Sequence, residues 1–547
     1  MSSMIWHQVR EGESVYDIAR QHIVPIKALM EANEGIGQLF VGQWLQIPQS
    51  VQGYVVQEGD TLEELSRQWN ISKATLVNQN TLRTEELLVG QILLRQVTYT
   101  VQAGDTLFSL ADKFQTTVAS FEALNNVNVG ELQVGQVLQI PGYTAAMTIG
   151  QAQIYDRPST KGRVLLRPVT GARFTVTGSG DGWLKVRLFD GREGWLTEGQ
   201  SRLEVSTRDD KPLALLGYFT EDEGPGLPGS EASFLAHAND LQDVSLFYYQ
   251  IRFENPTTLG KFGEFTDEAL RTLVAQAHAR NVRVLAVVHN LLYMEGPATI
   301  SKDVVKELVS SSANRQALIA NILNLIRQFN FDGIDLDVEE VYEEDREGLS
   351  QFIIELGNAL HQEGYFFSVA VPSKTSAEDP SAFAKPFDYA VIGGAADQVI
   401  IMLYNEHGWP GSGPGPVVSI GRMEQALTYA ASLIPANKIL GAVSVFGFDF
   451  NLETGKARYL TYAGAIETAN QFGATIQFDE ESQTPFYTYT AENGQDHEVW
   501  FENERSIIAK ARLAQTLGVN GLALWRLGME DPAIWPGLEE QFTLRKP

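Results

Sequence analysis

Five carboxyl groups crowd into ten residues: Phe331-Asp332-Gly333-Ile334-Asp335-Leu336-Asp337-Val338-Glu339-Glu340. In a strand, side chains alternate between faces, so Ile334, Leu336 and Val338 share one face and Asp335, Asp337 and Glu339 the other. Three acids on one buried face are costly, and at such spacing they cannot all stay ionised. At least one is pushed toward the protonated form. Glu339, outermost on the strand, is the natural candidate for a carboxylic acid that still carries its proton near neutral pH, the requirement for general-acid catalysis. A Mg²⁺ or Ca²⁺ site is the competing reading. It would need ligands from other strand ends, and the sequence offers no clear His/Asp set there, so no metal is expected.

The elements that must position these acids follow from the pattern after residue 212. Apolar runs begin at 213 (LALLGYF), 244 (VSLFYYQI), 282 (VRVLAVVHN), 331 (FDGIDLDVE), 366 (FFSVAVP), 398 (QVIIMLYN), 438 (KILGAVSVFG) and 520 (NGLALWRL). Amphipathic stretches such as TDEALRTLVAQAHARN, NRQALIANILNLIRQFN and IIAKARLAQTLG lie between them. Eight strand-then-helix units predict an α/β fold, a TIM (β/α)8 barrel over 212–547, with function at the C-terminal strand ends. The gap at roughly 450–500 is too long for a loop and predicts a small α+β insertion forming one wall of the cleft.

The string Asp332, Asp335, Asp337, Glu339 resembles the signature of family 18 glycoside hydrolases, the chitinase-like barrels. Met402-Leu403-Tyr404 stands where that family has a Met-x-Tyr-Asp motif, Trp525 ends the eighth strand, and Tyr218 and Phe219 end the first. The resemblance implies retaining hydrolysis assisted by the substrate's own 2-acetamido group, an exception to the two-carboxylate rule. Glu339 would be the acid, Asp337 the partner of the acetamido N–H, and Asp335 would share a proton with Asp337. Tyr404 would orient the acetamido oxygen and Trp525 would floor the sugar. Asp332, Met402, Asn405, Glu406 and Tyr218 are expected among the substrate-binding residues. Position 405 departs from the family, with Asn in place of Asp, which removes a charge. No cofactor is implied.

The first 142 residues are repetitive. A segment at 9–19 (VREGESVYDIA) recurs at 56–66 (VQEGDTLEELS) and 101–111 (VQAGDTLFSLA), and Gly-Gln-x-Leu closes each copy near 42, 90 and 135. Each copy reads as strand, helix, helix, strand, with Ser14, Thr61 and Thr106 as helix N-caps. These residues resemble the LysM domain, a βααβ module that binds N-acetylglucosamine-containing glycans. Three modules are expected at 4–50, 53–96 and 98–142. The resemblance places Gly59, Asp60, Thr61, Gly104, Asp105 and Thr106 near the sugar. Several weak modules on one chain raise retention on a polymer. Residues 146–206 predict a small β-barrel that resembles a bacterial SH3-like domain, with Trp183 and Trp195 read as core packing.

The chain has 547 residues, a formal charge of −27 and no cysteine, which excludes disulfides, thiolate metal sites and a Cys nucleophile. Such acidity argues against nucleic acid or anionic membrane as partner and is compatible with peptidoglycan or a chitin-like polysaccharide. No apolar run approaches a membrane span, and no Sec-type leader is expected from the first residues. A monomer is expected. The segments VPSKTS at 372, LYNEHGWPGSGPGP at 403 and HEVWFENERS at 497 resemble the spore germination branch of family 18, N-acetylglucosaminidases of cortex peptidoglycan that carry LysM repeats. That resemblance implies action at the spore surface, cortex or wall after synthesis in the mother-cell cytoplasm. A chitinase, or a non-catalytic wall- or coat-binding protein, is the alternative.

Overall fold

The computed structural model describes residues 144–180, 182–204, 212–221, 227–292, 299–404, 406–408 and 411–547 without interruption, and the first 143 residues in shorter stretches. The chain divides into two units, 1–188 with 192–211, and 189–191 with 212–547.

In the first unit each repeat closes on an antiparallel strand pair: Ile5–Gln8 with Trp44–Ile47, Gln52–Val55 with Ile92–Arg95, and Thr98–Thr100 with Val137–Gln139. Each has its own small core, such as Val56, Leu62, Leu65, Trp69, Leu76 and Leu93 in the second. The expected first helices are present as Leu62–Trp69 and Leu107–Lys113. Thr106 caps the latter: its Oγ1 accepts from Ser109 N–H (3.0 Å) while Ser109 Oγ accepts from Thr106 N–H (2.9 Å). The second helices fall partly outside the described residues, but the asparagine that recurs at 33, 80 and 125 has a visible purpose. Asn33 and Asn125 each accept from the closing strand, at Gln46 and Gln139 N–H (both 2.6 Å), and donate back to the same residues' carbonyls.

Residues 144–204 form a seven-stranded antiparallel sheet around Ala146, Ile154, Phe174, Leu184, Val186 and Leu196. Trp183 and Trp195 are not in that core, contrary to the sequence reading. Strand alternation sends Leu184 and Leu196 inward and leaves the two indoles half-buried on the other face, where Trp183 meets Tyr155 edge-on (5.7 Å).

The second unit is a closed barrel of eight parallel strands: Ala214–Phe219, Asp243–Ile251, Arg283–His289, Gly333–Asp337, Phe366–Pro372, Gln398–Met402, Ile439–Ser444 and Gly521–Trp525. The first strand pairs with both the second and the eighth, which closes the ring. Alternate residues fill the interior, among them Leu216, Tyr218, Phe247, Leu285, Val287, Ile400, Met402, Leu440 and Ala523. The helical layer covers the outside, with Asp267–His278, Ser312–Phe329 and Glu504–Leu517 where helices were expected. Gly333, which opens the fourth strand, has no room for a side chain: a Cβ there would lie 1.9 Å from Phe366 O. Between the seventh and eighth strands stands the insertion, a five-stranded antiparallel sheet of Gly447–Asn451, Ala457–Leu460, Gln477–Asp479, Thr484–Thr490 and Asp496–Trp500. Helix Tyr462–Phe472 packs on one of its faces, against Leu460, Tyr487, Val499 and Phe501.

Candidate active site

The fourth strand delivers its acids as the alternation requires. Asp335 stands opposite Val287 on the third strand and Ser368 on the fifth, so it points into the barrel. Asp337 is one pleat nearer the mouth, and both are buried. Glu339 lies two residues past the end of the strand, mostly buried at the rim.

Partners are scarce for so much charge. Ser245 Oγ donates to Asp335 Oδ2 (3.0 Å), but Asp335 Oδ1 and Asp337 Oδ1 are buried with no hydrogen-bond partner among the described residues. Burial therefore dominates their titration. The Asp335 carboxyl is pushed up to about 6, chiefly by desolvation, although the hydroxyls of Ser368, Tyr218 and Ser245 favour its charged form. Asp337 is raised well above the usual carboxylate range by burial, then by the charges of Glu339 and Asp335. Glu339 is pushed up to about 7 by burial and by the neighbouring Glu340. At neutral pH this strand thus holds carboxylic acid, not only carboxylate.

The aromatic residues converge on Trp525, which ends the eighth strand. Tyr218 approaches its ring edge-on (5.1 Å between centroids), Phe247 likewise (5.2 Å), and Tyr404 lies tilted at 6.3 Å. Met402 is buried in the same interior layer. Burial and the charge of Asp335 push the Tyr218 phenol well up, so it remains an O–H. Together these groups offer a proton donor, an inward-facing pair of acids and a flat apolar surface, a constellation suited to acid-assisted cleavage over a sugar ring. Among the described residues no group of three His, Asp or Glu side chains is placed to hold a metal ion.

Several expected binding residues are committed elsewhere. Asp332 lies at the opposite end of the strand: its Oδ2 accepts from Val284 N–H (2.7 Å) and pairs with His278 Nε2 (2.9 Å) on the neighbouring helix. It braces the base of the barrel rather than a substrate at the mouth. Glu406 Oε2 accepts from Ser419 N–H (2.9 Å), tethering the start of helix Ile420–Ala431. Asn405 lies outside the described residues. In the repeats, Asp60 Oδ2 accepts from Gln57 N–H (2.6 Å) and Tyr54 O–H (2.8 Å). Asp105 does the same with Gln102 N–H (2.6 Å) and Tyr99 O–H (2.9 Å), so both acids brace the turn. Thr106 is engaged in its cap, while Gly59, Thr61 and Gly104 are exposed beside these turns.

Three residues of the site went unread in the sequence. Phe247 stacks on His289 (4.3 Å, 11°), and His289 stands level with Asp337 on the adjacent strand. Burial holds the His289 ring near 3, neutral throughout the working range, with Nδ1 accepting from Leu291 N–H (3.2 Å). Asn290, fully buried, accepts from Glu339 N–H (3.0 Å).

Known proteins resemble this chain in both of its parts. Residues 296–530 match the family described as glycosyl hydrolases family 18, and residues 7–48, 54–94 and 99–141 match the LysM domain. The chain thus carries a family 18 glycoside hydrolase domain preceded by three LysM domains. It is 33% identical over 288 residues to the cortical fragment-lytic enzyme of Bacillus subtilis (strain 168), covering 52% of this chain and 66% of that protein. The enzyme of the same name from Bacillus anthracis is 32% identical over 250 residues, 45% of this chain and 58% of that protein. The chain spans roughly six-tenths of the length of these curated relatives. Among solved structures, the spore cortex-lytic enzyme SleL of Bacillus megaterium QM B1551 shares the fold, with a TM-score of 0.55 and 24% identity over 91% of this chain and 99% of that one. A chitinase from Chromobacterium violaceum ATCC 12472 has a TM-score of 0.54 and 27% identity, covering 61% of this chain and all 100% of the other.

Proposed function

We propose that this chain hydrolyses β-1,4 bonds at N-acetylglucosamine in peptidoglycan, with spore cortex as the substrate, by a retaining mechanism assisted by the substrate's acetamido group. The observation that carries the reading is the inward row Asp335, Asp337, Glu339, whose proton affinities are raised by burial, in a barrel interior that Tyr404 and Trp525 also line. Glu339 gives its proton to the glycosidic oxygen as the C1–O bond breaks. The acetamido oxygen closes on C1 from the other face, and Tyr404 holds it in line. The open Asp337 Oδ1 accepts the acetamido N–H and steadies the positive charge that develops there, while Asp335 beneath takes up or returns the shared proton. Glu339, now a carboxylate, removes a proton from the water that opens the ring, so configuration at C1 is retained.

The LysM modules are proposed to hold the polymer, and the SH3-like domain of 146–206 to serve as a further binding or spacing module. Modules at 4–50, 53–96 and 98–142 and a catalytic domain at 212–547 are the divisions that fit. The two cortical fragment-lytic relatives favour cortex; the chitinase likeness favours chitin as a second reading, and action at the spore cortex or cell wall follows from the first. Product analysis separates them. Wild type and Glu339→Gln are incubated with cortex fragments, vegetative peptidoglycan and chitin oligomers, and the released saccharides are identified by mass. New reducing N-acetylglucosamine ends from cortex, absent with the variant, are expected. Preference for chitin moves the assignment to the second reading, and inactivity of both proteins on all three removes the catalytic claim.

A further inference from the structure

The pairing of the third and fourth barrel strands ends at His289 opposite Asp337. Beyond it the chain of 338–340 has left the sheet, and Glu339 has no ladder partner for its backbone. One side chain takes over. Asn290, the residue after the third strand, accepts from Glu339 N–H with Oδ1 (3.0 Å). Its Nδ2 donates to Glu340 O (2.9 Å) and to Ser301 O (3.1 Å), the latter in helix Thr299–Val309. The side chain is fully buried and all three of these bonds go to backbone, so this amide is satisfied by one arrangement of the surrounding chain.

We propose that Asn290 is the positioning residue for the acid: its amide locks the backbone on both sides of Glu339 to the end of the third strand and so holds that carboxyl in its buried place at the mouth. The inference rests on reading Glu339 as the proton donor. Asn290 touches neither substrate nor the reacting atoms. It acts through Glu339, whose elevated proton affinity comes first from burial and next from Glu340, the other residue the amide grips. A Glu339 released from the clamp turns toward water, loses the desolvation that keeps it protonated, and titrates lower. A residue that merely stitched the third strand to helix Thr299–Val309 would change stability and leave that titration alone.

The test uses the full chain with Asn290→Ala and, as a milder change that keeps a hydroxyl acceptor, Asn290→Ser. Thermal unfolding first fixes a temperature at which each protein is folded. Hydrolysis of cortex fragments is then followed from about pH 4 to about pH 9. For Asn290→Ala the expected result is kcat lower by about 30- to 300-fold with KM within about threefold, and the upper pH limb displaced about one unit toward acid. Asn290→Ser falls between it and wild type. An infrared titration reads the same event without turnover: the protonated-carboxyl band that Glu339→Gln removes is expected to vanish at lower pH in the Asn290→Ala background. A rate loss that only tracks the loss of folded protein, or a carboxyl midpoint identical to wild type, overturns the inference. Should wild type cleave none of the glycans, the activity reading fails, and the infrared midpoint still decides the role of Asn290.

Discussion

Two sets of buried acids in the second unit differ in what surrounds them. Asp449, in the insertion sheet, is 3% exposed and uses both oxygens: Arg458 Nη2 donates at 2.9 Å, Tyr489 O–H at 2.8 Å, and His497 Nδ1 lies 2.7 Å away. Asp335 and Asp337 are as deeply buried, yet each keeps an oxygen without a partner and has other acids for neighbours. The first arrangement spends its polar contacts on holding four strands together. The second leaves acceptors open and protons in place, which costs stability and is intelligible as preparation for a substrate. A buried acid with a full set of partners is a structural element, whereas one with too few is a candidate for chemistry.

The comparison is sharpened most strongly by removing the proton donor. Glu339→Gln is expected to lower kcat by at least about a thousandfold, some 4 kcal/mol or more of barrel-supplied stabilisation, with no loss of melting temperature. Measuring turnover and thermal unfolding on the same preparation checks both halves. The opposite pattern is expected at the partnered acid. Asp449→Ala should destabilise the insertion by about 3 kcal/mol, while turnover per folded molecule stays within about threefold. An Asp449→Ala protein that lost activity without losing stability would break the distinction.

Asp335→Asn tests the cost directly. The folded-state pKa of Asp335, about 6 against 3.8 for the free group, means that the folded chain binds the proton more tightly. That contribution is fully present below about pH 3.8 and is lost as pH rises through 6, so at pH 8 the acid opposes folding by on the order of 2–3 kcal/mol. The asparagine variant should therefore be the more stable protein at pH 8 and gain nothing at pH 3, as read by denaturant titration at both.

The smallest effect is expected in the repeats, where partnering has one titratable exception. Tyr54 and Trp69 in the second module, and Tyr99 and Phe114 in the third, meet edge-on at 4.9 and 5.3 Å, with Asp60 or Asp105 bound to the tyrosine. The first module puts His7 and His22 in the same places, 5.0 Å apart, and Glu13 in place of the aspartate. His7 Nδ1 lies 2.9 Å from His22 Nε2, and Arg10 N–H also donates to Glu13 (2.7 Å). One shared proton suits that link and two do not. Burial first, then His7, lowers the pKa of His22, so the first module should lose stability as pH falls below the ordinary histidine value of 6.5. Hydrogen exchange of Ile5–Gln8 is expected to show about tenfold less protection near pH 5, relative to the equivalent strands of the other modules, and His7→Tyr with His22→Trp to abolish the difference.

The barrel and the three modules were legible because both are written as periodicities. Two-residue alternation placed Asp335, Asp337 and Glu339 on one face, and a repeat of 45–47 residues gave the modules. The same alternation carried a warning about Asp332 that the family-like string obscured. Asp332 has the parity of Ile334, Leu336 and Val338, which face the helices, and there it meets His278. Asp60 and Asp105 brace a turn that every copy needs, so recurrence alone does not separate scaffold from ligand site. Phe247, His289 and Asn290 left no pattern at all, since each acts once, from a strand other than the one it serves.

The most direct measurement is the pH dependence of cortex-fragment hydrolysis by the wild-type chain, with Glu339→Gln beside it. A protonated Glu339 held up by burial predicts activity that falls as pH rises through about 7, and a variant silent across the range. Activity that keeps rising above pH 8, or a Glu339→Gln protein that still cleaves, would contradict the account.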